Sequence, residues 1–213
     1  RVVPLTSSFV PGLDVPMRAC RAWRAAPLIA RRGHNLRNRL AAELGLDPYR
    51  PILLLYLGAD GREGMRWEKL GEMTDGRGAA QLIAYRPPAG AERWVRPLPE
   101  SFHHADVVAS VDAAITKPGY SMVAECMAAG TPVLTCPRPQ FVESEAINRA
   151  LEAWGGGVCI PERDFLALDW QGWLDRLPAL RAAARPVDCR GGAVVADWIA
   201  RLWNGENPPV ADD

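Results

Sequence analysis

Four residues in one short stretch, Lys117, Gly119, Ser121 and Glu125, are of the types that hold a phosphorylated ligand. Lys117 brings a full positive charge, and only Lys69 shares its type among the 25 lysines and arginines of the chain. Gly119 has no Cβ and so lets a backbone approach a ligand closely. Ser121 offers a hydroxyl either to a helix start or to an anion. Glu125 follows Ser121 by four residues, so on a helix the two share one face, one turn apart. Its carboxylate then lies beyond the first turn, outside the best range of the helix dipole. Its neighbours Val123, Ala124, Cys126 and Met127 are apolar. One turn behind a phosphate, such a carboxylate can accept two hydrogen bonds from a ribose diol.

The flanking residues explain why a helix starts there. Ala113 to Thr116 is a short apolar run suited to a buried strand, and Lys117-Pro118-Gly119 breaks it. The pattern predicts a helix from Tyr120 to Ala129, stopped by Gly130, before Thr131-Pro132 opens a second run, Val133 to Cys136. Strand, tight turn, helix, glycine stop and strand make a βαβ unit. Its turn sets free helix-start N–H groups beside a lysine, which suits a phosphate. Two readings of the turn stand at this point: an anion grip, or a plain strand-to-helix turn with Lys117 in solvent. Glu125 likewise has a plainer reading as an exposed helix acid, with burial carried by the other side of the helix.

The same pattern recurs along the chain. Ile52 to Leu57, bounded by Pro51 and Gly58, is continuously apolar and reads as a strand buried on both faces. It too ends in a glycine-rich turn, 58–64, before a helical pattern from Met65 to Met73. Further strands are predicted at Gln81 to Tyr85, Arg93 to Arg96 and Val158 to Ile160. Helices are predicted at Asn35 to Leu44, capped by Asn35, and at Ser101 to Ser110, capped by Ser101 with Phe102, Ala105 and Val108 or Ala109 inward. Ser144 to Trp154 follows, stopped by Gly155-Gly156-Gly157. Short helical pieces fall at Trp170 to Leu177 and Leu180 to Ala184. The last helix, Gly192 to Trp203, is expected to turn Val194, Val195, Trp198, Ile199 and Leu202 inward. Arg1 to Pro16 reads as an extended linker with one short strand, and Met17 to Ala30 as a segment with a turn or two of helix. Six strands alternating with helices, without hairpin turns, define an α/β fold: a doubly wound, Rossmann-like parallel sheet of about six strands. Ligands on such sheets sit at the carboxyl ends of the strands near a topological switch point, where both glycine-bearing turns fall.

Composition narrows the classes of function. At 213 residues, 48% hydrophobic and 23% charged, the chain can bury a real core, as one large domain or one domain with substantial extra segments. Its 25 basic and 25 acidic residues cancel, so bulk charge favours neither nucleic acid nor an anionic membrane. The first 42 residues hold eight arginines and one acid, Asp14, which reads as a solvated basic face or a docking surface for a preceding domain. Five cysteines without CxxC spacing (Cys20, Cys126, Cys136, Cys159, Cys189) argue for free thiols in a reducing, cytoplasmic setting and against a zinc site. No apolar run reaches membrane-spanning length, and no signal-peptide pattern opens the chain. A start at Arg1 reads as a piece of a longer protein. His103 and His104 point to different sides of a helix, cannot easily share an ion, and are expected at the surface. His34 is an isolated loop residue. Trp154, Trp198 and Trp203 stand at core-like positions.

In register, Gly119, Ser121, Glu125, Gly130 and Pro132 make a pattern that resembles the donor-binding motif in the C-terminal half of GT-B glycosyltransferases. That superfamily includes the UDP-sugar transferases of plants and animals and the bacterial lipid-II-forming N-acetylglucosaminyltransferase. A second echo is the transferase-like half fused to some sugar kinases, which has a similar Lys-x-Gly-Tyr run followed by Glu. The resemblance implies that Gly119, Tyr120 and Ser121 contact a nucleotide diphosphate and that Glu125 binds the ribose hydroxyls. It also implies that Lys117 keeps a phosphate-facing cation where relatives have His or Arg, and that the Gly58 turn faces the diphosphate. Pro97 to Phe102 falls where the base is held. The loop Pro137 to Asn148 resembles the part that holds the donor sugar, with Glu143, Ser144 and Glu145 where relatives carry Asp-Gln or Gln-Gln.

By the same resemblance, residues 34–205 form the nucleotide-sugar-binding domain, 1–33 an interdomain segment and 206–213 a tail. The expected partners are a nucleotide-sugar donor, taken as substrate with no metal or other cofactor, and an N-terminal acceptor-binding domain that supplies the general base. The expected function is that of a metal-independent transferase moving a hexose-type sugar, with UDP as the favoured nucleotide. The alternatives are a nucleotide-sugar 2-epimerase or hydrolase on the same fold, or a non-catalytic module serving a fused domain.

Overall fold

A computed structural model describes residues 5–7, 24–58, 64–75 and 79–206. Its centre is a six-stranded parallel sheet made of β3 (Ile52–Tyr56), β4 (Gln81–Ala84), β5 (Val95–Pro97), β6 (Ala113–Thr116), β7 (Val133–Thr135) and β8 (Gly157–Cys159). The strand order is β5-β4-β3-β6-β7-β8. A separate parallel pair joins β1 (Leu5–Ser7) to β2 (Arg24–Ala26). All six strands of the main sheet lie where the apolar runs predict them, shifted by two residues at most.

The register explains why these runs are apolar throughout. Side chains alternate between faces along a strand. Ile52 and Leu54 of β3 enter one core with Ile83, Ala114 and Val133, while Leu53 and Leu55 enter the other with Leu82, Ala113 and Leu134. On the first face lie α1 (Arg37–Leu44), α3 (His104–Ser110), α4 (Tyr120–Ala129) and α5 (Ser144–Trp154), through residues such as Leu40, Val108, Val123 and Ile147. The second face is covered by α2 (Leu70–Thr74), α6 (Glu162–Leu166), α7 (Gln171–Leu174) and α8 (Leu177–Ala183), through Leu70, Phe165, Trp173 and Leu180. Fully burying one of these leucines contributes roughly 1.5–3 kcal/mol. Leu53→Ala, at a site with no exposure at all, is therefore expected to cost about 2–5 kcal/mol.

Several local expectations shift. The helix predicted from Ser101 begins at His104 and runs on from His103, while Ser101 is exposed and caps nothing. Asn35 does take an amide, Oδ1 accepting from the N–H of Arg37 at 3.0 Å. The Met65 to Met73 pattern divides into a 3-10 turn at Trp67–Lys69 and the short α2. Arg24–Ala26, inside the stretch expected to hold a helical turn, is strand, and 17–23 lie outside the described residues, as do 59–63 and 207–213. The final helix, α9 (Gly191–Trp203), leaves Ile199 57% and Trp203 90% exposed, so neither is the inward residue expected. Trp154 is buried as expected.

Residues 26–36 pack along the domain. Leu28 is buried in the first core, its N–H donating to the Asp188 carbonyl at 3.0 Å. The N–H groups of His34 and Leu36 donate to Asp106 Oδ1 and Ser110 Oγ on α3, each at 2.7 Å. Just ahead of them Gly33 presses so close to α3 that an added Cβ would stand 1.9 Å from the Ala105 carbonyl oxygen. Only glycine fits there, and that approach carries Arg31 onto the sheet end.

Candidate functional site

The chain turns back on itself between β3 and β6. From β3 it runs outward to β4 and β5, then returns to β6 on the other side of β3 and continues to β7 and β8. The carboxyl ends of β3 and β6 are therefore neighbours at the switch point, with Tyr56 paired to Thr116. Thr116 Oγ1 donates to the Tyr56 carbonyl at 2.8 Å. The next residues are the ones singled out for an anion. Gly58 holds a left-handed φ of 66°, and the side chain of Lys117 fills the space beside it, Nζ standing 2.8 Å from where a Cβ of Gly58 would be.

α4 begins directly after this turn. Gly119 is its cap residue with an extended φ of −130°, and the nearest atom to an added Cβ is the Lys117 carbonyl oxygen at 3.9 Å. The packing of the chain itself does not demand glycine at 119. Ser121 is exposed and makes no cap hydrogen bond, so its helix-start reading is not what the structure shows. Tyr120 leans on the first core, and its hydroxyl accepts from the N–H of Ile29 at 3.4 Å.

Glu125 is not an exposed helix acid. It is 3% exposed, and its two oxygens take Arg31 Nε at 2.6 Å and His104 Nδ1 at 2.5 Å. Burial pushes the carboxyl up, but the hydrogen bonds from His104 and Arg31, together with the charge of the guanidinium, outweigh burial and hold it below its ordinary 4.5. Each carboxylate oxygen keeps a further lone pair for another donor.

His104 overturns its expected surface position. The helix starting at His104 places Val107, Val108 and Val111, all buried, three, four and seven residues on, so the imidazole falls on the inward stripe. It is packed by two tyrosines, stacked on Tyr85 at a centroid distance of 5.8 Å and edge-on to Tyr56 at 4.9 Å. With Leu55, Leu57, Gly58 and Arg86, these three rings line a cleft of about 460 Å³ at the ends of β3 and β4. His104 Nε2 is buried without a hydrogen-bond partner among the described residues. Such a group left unsatisfied costs about 1–3 kcal/mol. The Tyr85 hydroxyl donates to the Phe102 carbonyl at 3.4 Å. Its pKa is pushed up to about 12, by burial first and then by the neighbouring Tyr56 and Glu125.

The residues expected near a sugar lie apart from this cleft. Ser144 is buried, and its Oγ accepts from the Arg138 N–H at 2.9 Å, which closes the loop after β7. Glu143 is the cap residue of α5, and Glu145 points into solvent and pairs with Arg149 one turn on. Ser144 and Glu145 line a second cleft of about 510 Å³ with Arg138, Phe141 and Asn148. Gly58, Lys117 and Tyr120 thus gather at the switch point, while Ser144 and Glu145 border a separate hollow. Sequence reasoning missed Arg31, Tyr56, Tyr85 and His104. The spacing of His104 to the valines of α3 carries a signal for it, whereas Arg31 reaches Glu125 across 94 residues and leaves none. Among the described residues no group of three or more His, Cys, Asp or Glu converges on one point, and no helix is long and apolar enough to cross a membrane.

The sheet order and its switch point are those of a Rossmann-like α/β fold, and the same fold forms one half of GT-B glycosyltransferases. The chain aligns on the calicheamicin glycosyltransferase with a TM-score of 0.63 at 16% identity, over 96% of this chain and 55% of that one. A UDP-N-acetylglucosamine 2-epimerase shares the fold at a TM-score of 0.56 and 14% identity, over 98% and 59%. In sequence the chain is 30% identical over 145 residues, 63% of its length, to the UDP-N-acetylglucosamine–N-acetylmuramyl-(pentapeptide) pyrophosphoryl-undecaprenol N-acetylglucosamine transferase of Clavibacter michiganensis. It is 28% identical over 173 residues, 78% of its length, to the L-arabinokinase of Arabidopsis thaliana. The chain spans 38% of the length of that transferase and 16% of that kinase. No family model matches it.

Proposed function

We propose that this chain is the donor-binding half of a glycosyltransferase and grips a nucleoside diphosphate sugar, a UDP-linked hexose, across the β3–β6 switch point. The observation that carries this reading is the packing of Lys117 against Gly58 where α4 begins, one turn ahead of the buried Glu125. The diphosphate meets Lys117 and the N–H groups of the ten-residue α4, whose start favours anions. Gly119, free of steric demands from its own chain, leaves room for that approach. Glu125, oriented by Arg31 and His104, accepts hydroxyls of the ribose through its remaining lone pairs.

Transfer breaks the bond between the sugar's anomeric carbon and the diphosphate oxygen, which leaves with the electron pair. Lys117 and the helix-start N–H groups meet the charge that develops there, without a metal. An acceptor hydroxyl attacks the anomeric carbon and gives its proton to a base from an acceptor-binding half, in a cytoplasmic enzyme of which this chain is one part. The transferase reading has support in sequence, at 30% identity, whereas likeness to an epimerase is one of fold at 14%. The similarity to a much longer kinase chain favours a second reading, a transferase-like module serving a fused domain.

Calorimetric titration of the chain with UDP, dTDP, GDP, ADP and UDP-N-acetylglucosamine tests the grip. A uridine nucleotide is expected to bind, and Glu125→Ala to weaken it roughly tenfold, about 1.4 kcal/mol. Failure of every nucleotide to bind rules out the donor site. Unchanged affinity in the variant removes Glu125 from the ribose.

A further inference from the structure

His104 links two features that the nucleotide grip leaves separate, the Glu125 carboxylate and the cleft at the ends of β3 and β4. Its Nδ1 stands 2.5 Å from Glu125 Oε2, so this nitrogen bears the hydrogen that an ionised carboxylate accepts. Nε2, across the ring, is buried and has no partner among the described residues. Tyr85 stacked on one face and Tyr56 edge-on hold the ring, which cannot turn without giving up Glu125. Buried polar atoms are as a rule hydrogen-bonded, and this one belongs to a residue lining a cleft of about 460 Å³ beside Gly58.

We propose that His104 is a further ligand-contacting residue of the site: Nε2 accepts a hydroxyl or N–H of the nucleoside while Nδ1 positions Glu125. The proposal rests on the nucleotide-binding reading above. Chemistry divides the ligand between the two ends of the site. With its hydrogen on Nδ1, the imidazole has Nε2 left as an acceptor, which suits a donor group on the ribose or base. Phosphate oxygens are themselves acceptors and pair with Lys117 and the start of α4.

Two substitutions separate the two tasks by shape. His104→Asn keeps an N–H near the place of Nδ1 and loses Nε2. His104→Gln keeps a polar atom near the place of Nε2 and gives up the short bond to Glu125. The chain and both variants are titrated with inorganic pyrophosphate and with whichever of UDP, dTDP, GDP and ADP the unmodified chain binds best. The nucleotide is expected to bind His104→Asn roughly tenfold more weakly, about 1.4 kcal/mol, with pyrophosphate affinity unchanged and His104→Gln in between. Nucleotide affinity within twofold of the unmodified chain in His104→Asn overturns the contact while the nucleotide site stands. An equal loss for pyrophosphate also overturns it, since His104 would then support the whole site. If the unmodified chain binds no nucleotide, both proposals fall.

Discussion

A Cβ on Gly58 would stand 2.8 Å from Nζ of Lys117, so the turns after β3 and β6 are packed against each other across the switch point. Gly58 also holds a φ of 66°, which costs a residue with a Cβ roughly 1–2 kcal/mol. Gly58→Ala therefore strains the backbone and displaces the lysine head. The expected outcome is a loss of about 1 kcal/mol in stability by denaturant titration, with a fall in nucleotide affinity of about tenfold. Wild-type affinity in a variant that has lost the stability would separate Lys117 from the phosphate.

The Glu125 network makes a prediction in acid. Because its folded value lies below the ordinary 4.5, the unfolded chain binds the proton more tightly. The stabilisation is present above about pH 4.5 and is lost as pH falls through the lower folded value. Glu125→Gln removes the titration. At neutral pH it is expected to be about 2 kcal/mol less stable, since hydrogen bonds to a charged group are lost. Below pH 4.5 the gap to wild type should narrow. Parallel Tm profiles across that range would show that Arg31 and His104 do not hold the carboxylate in solution.

How much of this was legible depends on the distance over which each signal acts. The strand runs Ile52 to Leu57 and Ala113 to Thr116 announce burial on both faces, because a parallel sheet covered by helices demands apolar residues at every position. The places of Lys117, Gly119 and Glu125 in the fold are legible for a similar reason, being set by one turn and one helix. Arg31 is not, because its place depends on Gly33 pressing against α3 at Ala105. His104 was hidden by a helix start placed three residues too early, which moved the inward stripe off the imidazole. The apolar residues of α9 mislead in the opposite direction: periodicity marks a face, and Ile199 and Trp203 show that a face need not be covered.

Away from the site, Asp112 ties three elements at the amino ends of the strands. Its Oδ2 accepts from the Ile52 N–H and from Arg37 Nη1, both at 2.8 Å, and its own N–H donates to the Ile52 carbonyl. Asp112→Ala leaves the buried Ile52 N–H and the half-buried guanidinium without that partner. It is expected to cost about 2–3 kcal/mol, while Asp112→Asn, which keeps an acceptor oxygen, costs about 1 kcal/mol. Nucleotide affinity should not change in either, since both act at the opposite end of the sheet. Equal losses in the two variants would assign the effect to charge rather than to the hydrogen bonds.

Ser144 offers a way to separate sugar from nucleotide. Its Oγ accepts the Arg138 N–H at 2.9 Å, and the Phe141 carbonyl accepts the Ser144 N–H at the same distance, so the loop after β7 is closed from both ends of one residue. Ser144→Ala removes the hydroxyl that accepts the Arg138 N–H, which loosens the loop proposed to hold the sugar. Affinity for UDP, which carries no sugar, is expected to stay within about twofold. Affinity for UDP-N-acetylglucosamine should fall about fivefold, a difference of roughly 1 kcal/mol. Glu145→Ala, which loses only an exposed pair with Arg149, is expected to change neither by more than a few tenths of a kcal/mol. Should Ser144→Ala weaken both ligands alike, the loop supports the nucleotide end of the site, and the sugar must be held elsewhere.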